Sequence, residues 1–263
     1  MVSVFIFSIL SATAYVSLEA GRRSGGVGGV EVDLQEGARK AMNEMLRELR
    51  ETGPATVTIY QYTDPQNSEV HQAIAFASTR GNSASFVEGT CVDGAGNNAC
   101  FHRNAAGGPS WRALVVYSVY QTSDGRKEFR RYVNYNTAYG TGNYFPYSFT
   151  GMTSTQINLR SAGGVNFTFN RDGTTNGIAP RVLTENVVTE DANNNNTLDV
   201  SENDGSATLP FDNADGVLNR GVDFSLNGRV ASVTLFLRKQ DVPYASGNRF
   251  VVSTLRSSVA LRN

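Results

Sequence analysis

The chain has 263 residues, 40% of them hydrophobic, which is enough to form one large all-β domain or two small domains. Its 23 basic and 24 acidic residues give a net charge of −1. This balance provides no electrostatic field for gathering nucleic acid or acidic lipid, so the composition does not indicate a nucleic-acid-binding protein.

The first eighteen residues, Met1 to Leu18, contain no charged side chain. As a helix they would span about 27 Å, just short of a typical bilayer core. A secretory signal peptide fits this run poorly, because no basic residue precedes it. We therefore expect residues 1–20 to form an apolar helix in a membrane or in another dry environment, with a plain single-pass anchor as the simple alternative.

The next segment, residues 21–30, contains five glycines in "GRRSGGVGGV". Each glycine costs a helix up to about 1 kcal/mol relative to alanine. We therefore expect a flexible segment here, which interrupts the helix.

Residues 31–53 contain many strong helix formers and are predicted to form an amphipathic helix. An apolar stripe repeats at intervals of three and four residues, and charged residues, including Glu44 and Glu48, occupy much of the remaining surface. Gly53 and Pro54 are expected to end this helix. The stripe consists of Leu34, Ala38, Ala41, Met45 and Leu49.

From residue 54 to residue 263 the hydrophobic period changes to two, which predicts an antiparallel β head. The segment "ATVTIYQY" alternates, and Asp124 and Gly125 stand between two alternating runs as a hairpin turn. The segments "RVASVTLFLRKQ" and "RFVVSTLRSSVALRN" are predicted to be late strands. The expected fold class is α+β, in which a long N-terminal helix packs on a C-terminal antiparallel sheet.

The two cysteines, Cys91 and Cys100, lie close together in "CVDGAGNNAC". A disulfide between them would contribute roughly 2.5–3 kcal/mol and would indicate an oxidising compartment. Two unpaired thiols are the alternative. A zinc site is less favoured, because the chain has only two histidines, His71 and His102.

The segment "DANNNNTLDVSE" has the spacing of an EF-hand-type calcium loop. Alternate residues of such a loop direct oxygen atoms at one centre, and a terminal bidentate carboxylate closes the coordination sphere. Asn196 replaces the usual glycine at the sharp turn. The predicted ligands, with Thr197 acting through its carbonyl, are Asp191, Asn193, Asn195, Thr197, Asp199 and Glu202. The alternative is an Asn-rich turn without an ion.

Catalytic motifs are not evident in the sequence. A Ser-His-Asp arrangement would have to use His71 or His102, and no nucleophile elbow, phosphate-binding loop or dinucleotide motif is found. We therefore expect no catalytic residues, no organic cofactor and no enzymatic activity.

An apolar helix, the segment "VDLQEGARKAMNEMLRELRETG" and a β domain that ends in "SSVALRN" together resemble type IV pilin-like proteins, most closely minor pilins of the W class and minor pseudopilins of the J class. The resemblance implies a pilin-like fold and a subunit that polymerises through its N-terminal helix. It also implies leader cleavage and N-methylation, although the family's basic leader and early glutamate are not found in "MVSVFIFSIL".

In this family the helix lies in the inner membrane before assembly and then in the core of an extracellular filament. Neither place contains water, so one apolar sequence suits both. The expected function is therefore a structural subunit of a type IV pilus-like filament, with a head stabilised by calcium and with copies of itself or other pilins as partners. The alternatives are a minor pseudopilin of a type II secretion system and a membrane-anchored adhesin or binding domain that does not polymerise.

Overall fold

The computed structural model describes residues 2–79, 111, 113–135, 145–173, 178–189, 220–240 and 250–262. Inside helices and strands it does not describe the side chains of residues 2–12, 19, 20, 22–27, 240 and 250.

A single long helix, α1 (Val2–Arg50), opens the chain and contains 49 residues. The glycine-rich segment 21–30 is part of this helix, so the expected interruption is wrong. A helix with long flanks on both sides needs no new nucleus, and propagation from the flanks offsets the cost of the glycines. After α1 the chain turns through a short 3₁₀ helix, Pro54–Thr56, as the Gly53 and Pro54 pair predicts.

Eleven strands follow in the described part of the chain. They are β1 (Thr58–Thr63), β2 (Val70–Ser78), β3 (Ala113–Gln121), β4 (Lys127–Tyr135), β5 (Tyr147–Met152), β6 (Gln156–Ser161), β7 (Asn166–Asn170), β8 (Arg181–Thr184), β9 (Val222–Asn227), β10 (Val230–Gln240) and β11 (Phe250–Ala260).

These strands form three antiparallel sheets. The central sheet has the order β1-β2-β3-β4-β8, the inner sheet has the order β11-β10-β9, and the outer sheet has the order β5-β6-β7. The predicted hairpin is confirmed, because β3 and β4 pair in register from Ala113 opposite Tyr135 to Gln121 opposite Lys127. Gly125 has a φ of +83° at its turn, a conformation that glycine adopts without steric cost.

The central sheet is buried on both faces. Val115 and Tyr117 of β3 pack with α1 and the inner sheet, whereas Leu114 and Val116, on the opposite face, pack with the outer sheet. All four side chains are fully buried. A strand covered on both sides becomes hydrophobic throughout instead of alternating, which explains the run "ALVVYSVY".

The expected α+β class, with a helix on one antiparallel sheet, is wrong. The described chain is mostly β, and its eleven strands lie in three separate antiparallel sheets, with one helix of more than a single turn. The physical reason lies in the central sheet, whose second apolar face needs its own cover. The outer sheet supplies that cover, and the sequence pattern did not predict this additional layer.

The late strands are confirmed. β10 pairs with β11 over eleven residues, from Val230 opposite Ala260 to Gln240 opposite Phe250. Both strands contact α1. The C-terminal part of α1 is therefore held in the core by the inner sheet and, on its other side, by β8 of the central sheet.

Candidate functional site

The candidate functional site is helix α1, because it divides into a part embedded in the head and a part that lies outside it. The embedded part begins at Val30, which is partly buried against the core. The predicted apolar stripe is confirmed, and every one of its members is buried. Met42 and Leu46 extend it. Seven apolar side chains on one helical face thus fix this part of α1 to the sheets.

Two carboxylates of the embedded part are also buried, which corrects the expectation that they face solvent. Glu48 is 2% exposed and Glu44 is 8% exposed. At 100° per residue Glu48 lies within about 60° of the centre of the apolar stripe, so its helical position is the sequence signal that could have revealed its burial. An unpaired charge at such a place would be costly, and each carboxylate therefore needs a partner.

Glu48 forms a bidentate ion pair with Arg131 of β4. Nη2 of Arg131 donates to Oε1 at 2.7 Å, and its Nε donates to Oε2 at 2.9 Å. Tyr117 of β3 donates its hydroxyl to the same Oε2 at 2.6 Å. Burial disfavours the charge of Arg131, but the Glu48 carboxylate outweighs it and raises the pKa of the guanidinium. Burial and Glu48 together also raise the pKa of Tyr117.

Glu44 forms a second link one helical turn earlier. Nη1 of Arg181, on β8, donates to Oε1 of Glu44 at 2.8 Å. Burial raises the pKa of the Glu44 carboxyl, and the nearby Glu48 adds to this effect, while Arg181 opposes it. The pair is less enclosed than the first, because the Arg181 side chain is 45% exposed. The two pairs connect α1 to both β4 and β8 of the central sheet.

The remaining part of α1, residues 2–29, has only exposed side chains among those that the structure describes before Val30, and we name it the exposed part. Each of its residues whose side chain is described before Val30, namely residues 13–18, 21, 28 and 29, is exposed. Tyr15, Val16 and Leu18 have exposed fractions of 70%, 66% and 64%, and Val32, at the edge of the head, has 61%. These large apolar side chains face water in the single chain, whereas the apolar stripe of the embedded part is covered. The arrangement is suited to contact with a further apolar surface.

His71 is buried and belongs to a polar cluster of the head. Its Nδ1 lies 3.0 Å from the carbonyl oxygen of Arg220, and its Nε2 lies 3.1 Å from Oε2 of Glu69. Lys127 also pairs with Glu69. Burial opposes the charge of the Glu69 carboxylate, but His71 and Lys127 outweigh it, and the pKa is lowered. With 1% exposure, His71 fixes the start of β2 to Arg220, two residues before β9.

The predicted calcium and disulfide sites lie outside the described residues. This concerns Cys91 and Cys100 and the six calcium ligands from Asp191 to Glu202, so both sites remain predictions. His102 also lies outside. Across the described ranges no three His, Cys, Asp or Glu side chains come together in a group that could hold a metal ion.

The membrane prediction depends mainly on side chains of residues 1–12, which the structure does not describe. Among the residues that it does describe, no helix is long and apolar enough to cross a membrane.

The comparisons with known proteins add no relative. No family model, no curated protein and no solved structure matches this chain.

Proposed function

We propose that this chain is a structural subunit of a type IV pilus-like filament, and that it polymerises through the exposed part of α1. The observation that supports this most directly is the division of one continuous helix. Its C-terminal part is fixed in the head by an apolar stripe and two ion pairs, whereas its N-terminal part presents exposed apolar side chains.

The length of the exposed part suits this role. Residues 2–29 extend for about 42 Å at 1.5 Å per residue, which is longer than a small domain is wide. Burial of large apolar side chains such as Tyr15 and Leu18 contributes about 1.5–3 kcal/mol for each aliphatic or aromatic side chain. Several copies packed helix to helix would gain this free energy for each subunit.

The glycines of the exposed part favour close packing of helices. A Cβ atom added at Gly21, Gly28 or Gly29 would meet no atom within 4 Å in the single chain. Small residues on a helix surface let a second helix approach closely, so that many weak contacts add up. The glycines therefore support helix association in the assembled filament, whereas the sequence alone suggested that they interrupt the helix.

Before assembly, the apolar end of α1 is proposed to lie in the inner membrane as a single pass. After assembly the filament is proposed to lie outside the cell, where the predicted calcium loop and the predicted disulfide would stabilise the head. Extracellular calcium modules bind with Kd values of roughly 10⁻⁴–10⁻³ M, so a loop with few acidic ligands would suffice there.

The experiment that tests the proposal compares two matched substitutions. Leu18→Glu places a charge on the exposed part of α1, and Leu226→Glu places the same charge on the head at an apolar residue that is 38% exposed. Filaments sheared from cells that express each chain are counted by electron microscopy and identified by mass spectrometry. We expect Leu18→Glu to reduce the filament yield at least about tenfold, because a charge buried between helices is costly, and Leu226→Glu to leave it close to that of the unaltered chain.

Equal yields for the two substitutions would contradict polymerisation through α1. The proposal also fails if native membranes and export machinery are supplied and the unaltered chain remains as single tethered molecules. That second outcome would favour a membrane-anchored binding domain that does not polymerise.

A further inference from the structure

The embedded part of α1 still has one uncovered face, which forms a groove with β8. The groove has a volume of about 620 Å³ and runs along three turns of the helix, from Glu36 to Arg47. Arg39, Lys40 and Asn43 lie between these ends and are exposed. Arg181 of β8 forms part of the opposite wall. We name this surface the basic groove.

The charge of the basic groove is positive. Four cationic side chains line it, and the two anionic ones are Glu36 and Glu44, which gives a net charge of +2. Glu44 is mostly buried and already accepts a hydrogen bond from Arg181. Arg39 and Lys40 project from the exposed surface of the helix. The groove therefore offers a partner two cations on a rigid helix, next to a third on β8.

The net charge of the chain is nearly zero, but its acidic and basic residues are unevenly distributed along the sequence. Residues 190–219 contain seven acidic residues and no lysine or arginine, whereas the rest of the chain has 17 acidic and 23 basic residues and a net charge of +6. We name residues 190–219 the acidic segment. It lies outside the described residues, but the residues on its two sides meet, because a Cβ atom on Gly221 would lie 3.3 Å from the carbonyl oxygen of Val188.

Four of the seven acidic residues lie in or next to the predicted calcium loop, where an ion would neutralise part of their charge. The other three, Asp204, Asp212 and Asp215, lie beyond it. These three carboxylates are opposite in sign to the basic groove, whose net charge is +2. Such complementarity favours the correct partner and speeds encounter, although it is weakened by salt.

We propose that the basic groove of one copy binds the acidic segment of a neighbouring copy through Asp204, Asp212 and Asp215. Each copy then provides one groove and one segment, so the contact joins two different surfaces. Contacts of this kind generate open helical assemblies when the rotation does not close a ring. The inference rests on the proposed function in taking a second copy as the partner, and it assigns a contact between heads in addition to the contact between helices.

Charge reversal on each side tests the contact. The groove variant carries Arg39→Glu and Lys40→Glu, and the segment variant carries Asp204→Lys, Asp212→Lys and Asp215→Lys. Neither variant alters the Glu48 pair, the Glu44 pair or the predicted calcium ligands. Full-length chains in detergent, labelled with donor or acceptor dyes on a short C-terminal tag, report association by energy transfer at low salt.

We expect each variant alone to associate at least about tenfold more weakly than the unaltered chain, which corresponds to about 1.4 kcal/mol. We expect the mixture of the two variants to regain association within about threefold of the unaltered chain, because each reversed groove meets a reversed segment. High salt should weaken the association of both the unaltered chain and the mixture, since the Debye length falls to about 3 Å at 1 M. Arg160→Glu with Arg229→Glu is the matched control, because both side chains are exposed away from the groove, Arg160 on β6 and Arg229 in the turn between β9 and β10.

The proposal would be overturned by no loss in either variant, by an equal loss in the control, or by no recovery in the mixture. If association recovers only when all five substitutions are combined in one chain, the segment binds its own groove and the contact between copies is wrong. Filaments that form normally with the groove variant would reject this contact and leave the proposed function intact. Recovery in the mixture without any filament would support this contact and contradict the proposed function.

Discussion

The embedded and exposed parts of α1 have the same backbone structure but very different surroundings. In the embedded part, Met45 and Leu49 have no exposed surface, and Glu48 is enclosed by Arg131 and Tyr117. In the exposed part, Tyr15 and Leu18 have most of their surface in water. The difference shows that packing with the sheets holds one part of the helix, whereas the other part depends on its own hydrogen bonds in the single chain.

The largest effect is expected from the buried ion pair of the embedded part. Glu48→Gln removes the carboxylate that is hydrogen-bonded to the buried Arg131 guanidinium, so we expect the free energy of unfolding to fall by about 3–5 kcal/mol. Urea unfolding followed by the fluorescence of Trp111, the single tryptophan, measures this change. Glu36→Gln, on the exposed face of the same helix, should change stability by less than about 0.5 kcal/mol. A loss below roughly 1 kcal/mol for Glu48→Gln, which is the contribution of one ordinary hydrogen bond, would contradict a stabilising role for the Glu48–Arg131 pair.

A pair of truncations compares the apolar contacts of the two parts. Leu49→Ala removes a fully buried side chain, and we expect it to lower the free energy of unfolding by about 2–5 kcal/mol. Val16→Ala removes a side chain of the exposed part that is 66% exposed, and we expect a change within about 0.5 kcal/mol. Urea unfolding of both chains under the same conditions measures the difference. Similar losses would show that Val16 is covered in solution, and the two parts of α1 would then not differ as described.

Two glycine substitutions compare the helix backbone in the two parts. Gly28→Ala adds a Cβ atom in open space, whereas the same change at Gly37 places the Cβ atom 3.3 Å from Oγ1 of Thr184. Alanine favours a helix over glycine by up to about 1 kcal/mol, so we expect amide hydrogen exchange around residue 28 to slow by up to about fivefold. Gly37→Ala should slow amide hydrogen exchange around residue 37 by a smaller factor, because Thr184 must move. A stronger slowing of exchange around residue 37 than around residue 28 would contradict this prediction.

The smallest effect concerns the pH dependence of the Glu44 pair. The folded chain raises the pKa of Glu44 above its usual 4.5, so between these two values the folded state holds more protons than the unfolded state. The stability contributed by this group is therefore fully present below pH 4.5 and is lost as the pH rises through the folded pKa. Relative to Glu44→Gln, the unaltered chain should become less stable as the pH increases through this window. Urea unfolding over a series of pH values measures the difference.

Glu69 provides a control of opposite sign. Its pKa is lowered in the folded chain, so its contribution is fully present above pH 4.5 and is lost as the pH falls through the folded pKa. Relative to Glu69→Gln, the unaltered chain should become more stable as the pH increases through that window. The difference in free energy of unfolding between the unaltered chain and each variant should therefore change with pH in opposite directions for Glu44→Gln and Glu69→Gln. Changes in the same direction would contradict the environments described for the two carboxylates.

The helix stripe, the hairpin at Asp124 and Gly125, and the two late strands could be predicted from the sequence. Each depends on contacts that are local or periodic, so the pattern of apolar residues records them directly. The interruption at residues 21–30 could not be judged from composition, because the flanking helical segments offset the local preference of glycine. The buried positions of Glu44 and Glu48 were also missed, since a charged residue is normally assigned to the surface.

The sequence by itself determined that a helix with one apolar face precedes a β head, because helical and strand periods place side chains on faces that depend only on residue spacing. Only the tertiary structure decided that the head has three sheets, since the strands that cover the two faces of β3 are distant in sequence. It also decided that Arg131 and Arg181 meet the carboxylates of α1, 83 and 137 residues away from Glu48 and Glu44. Such pairs form wherever the packed chain brings opposite charges together out of water, and no local pattern records which partner that will be.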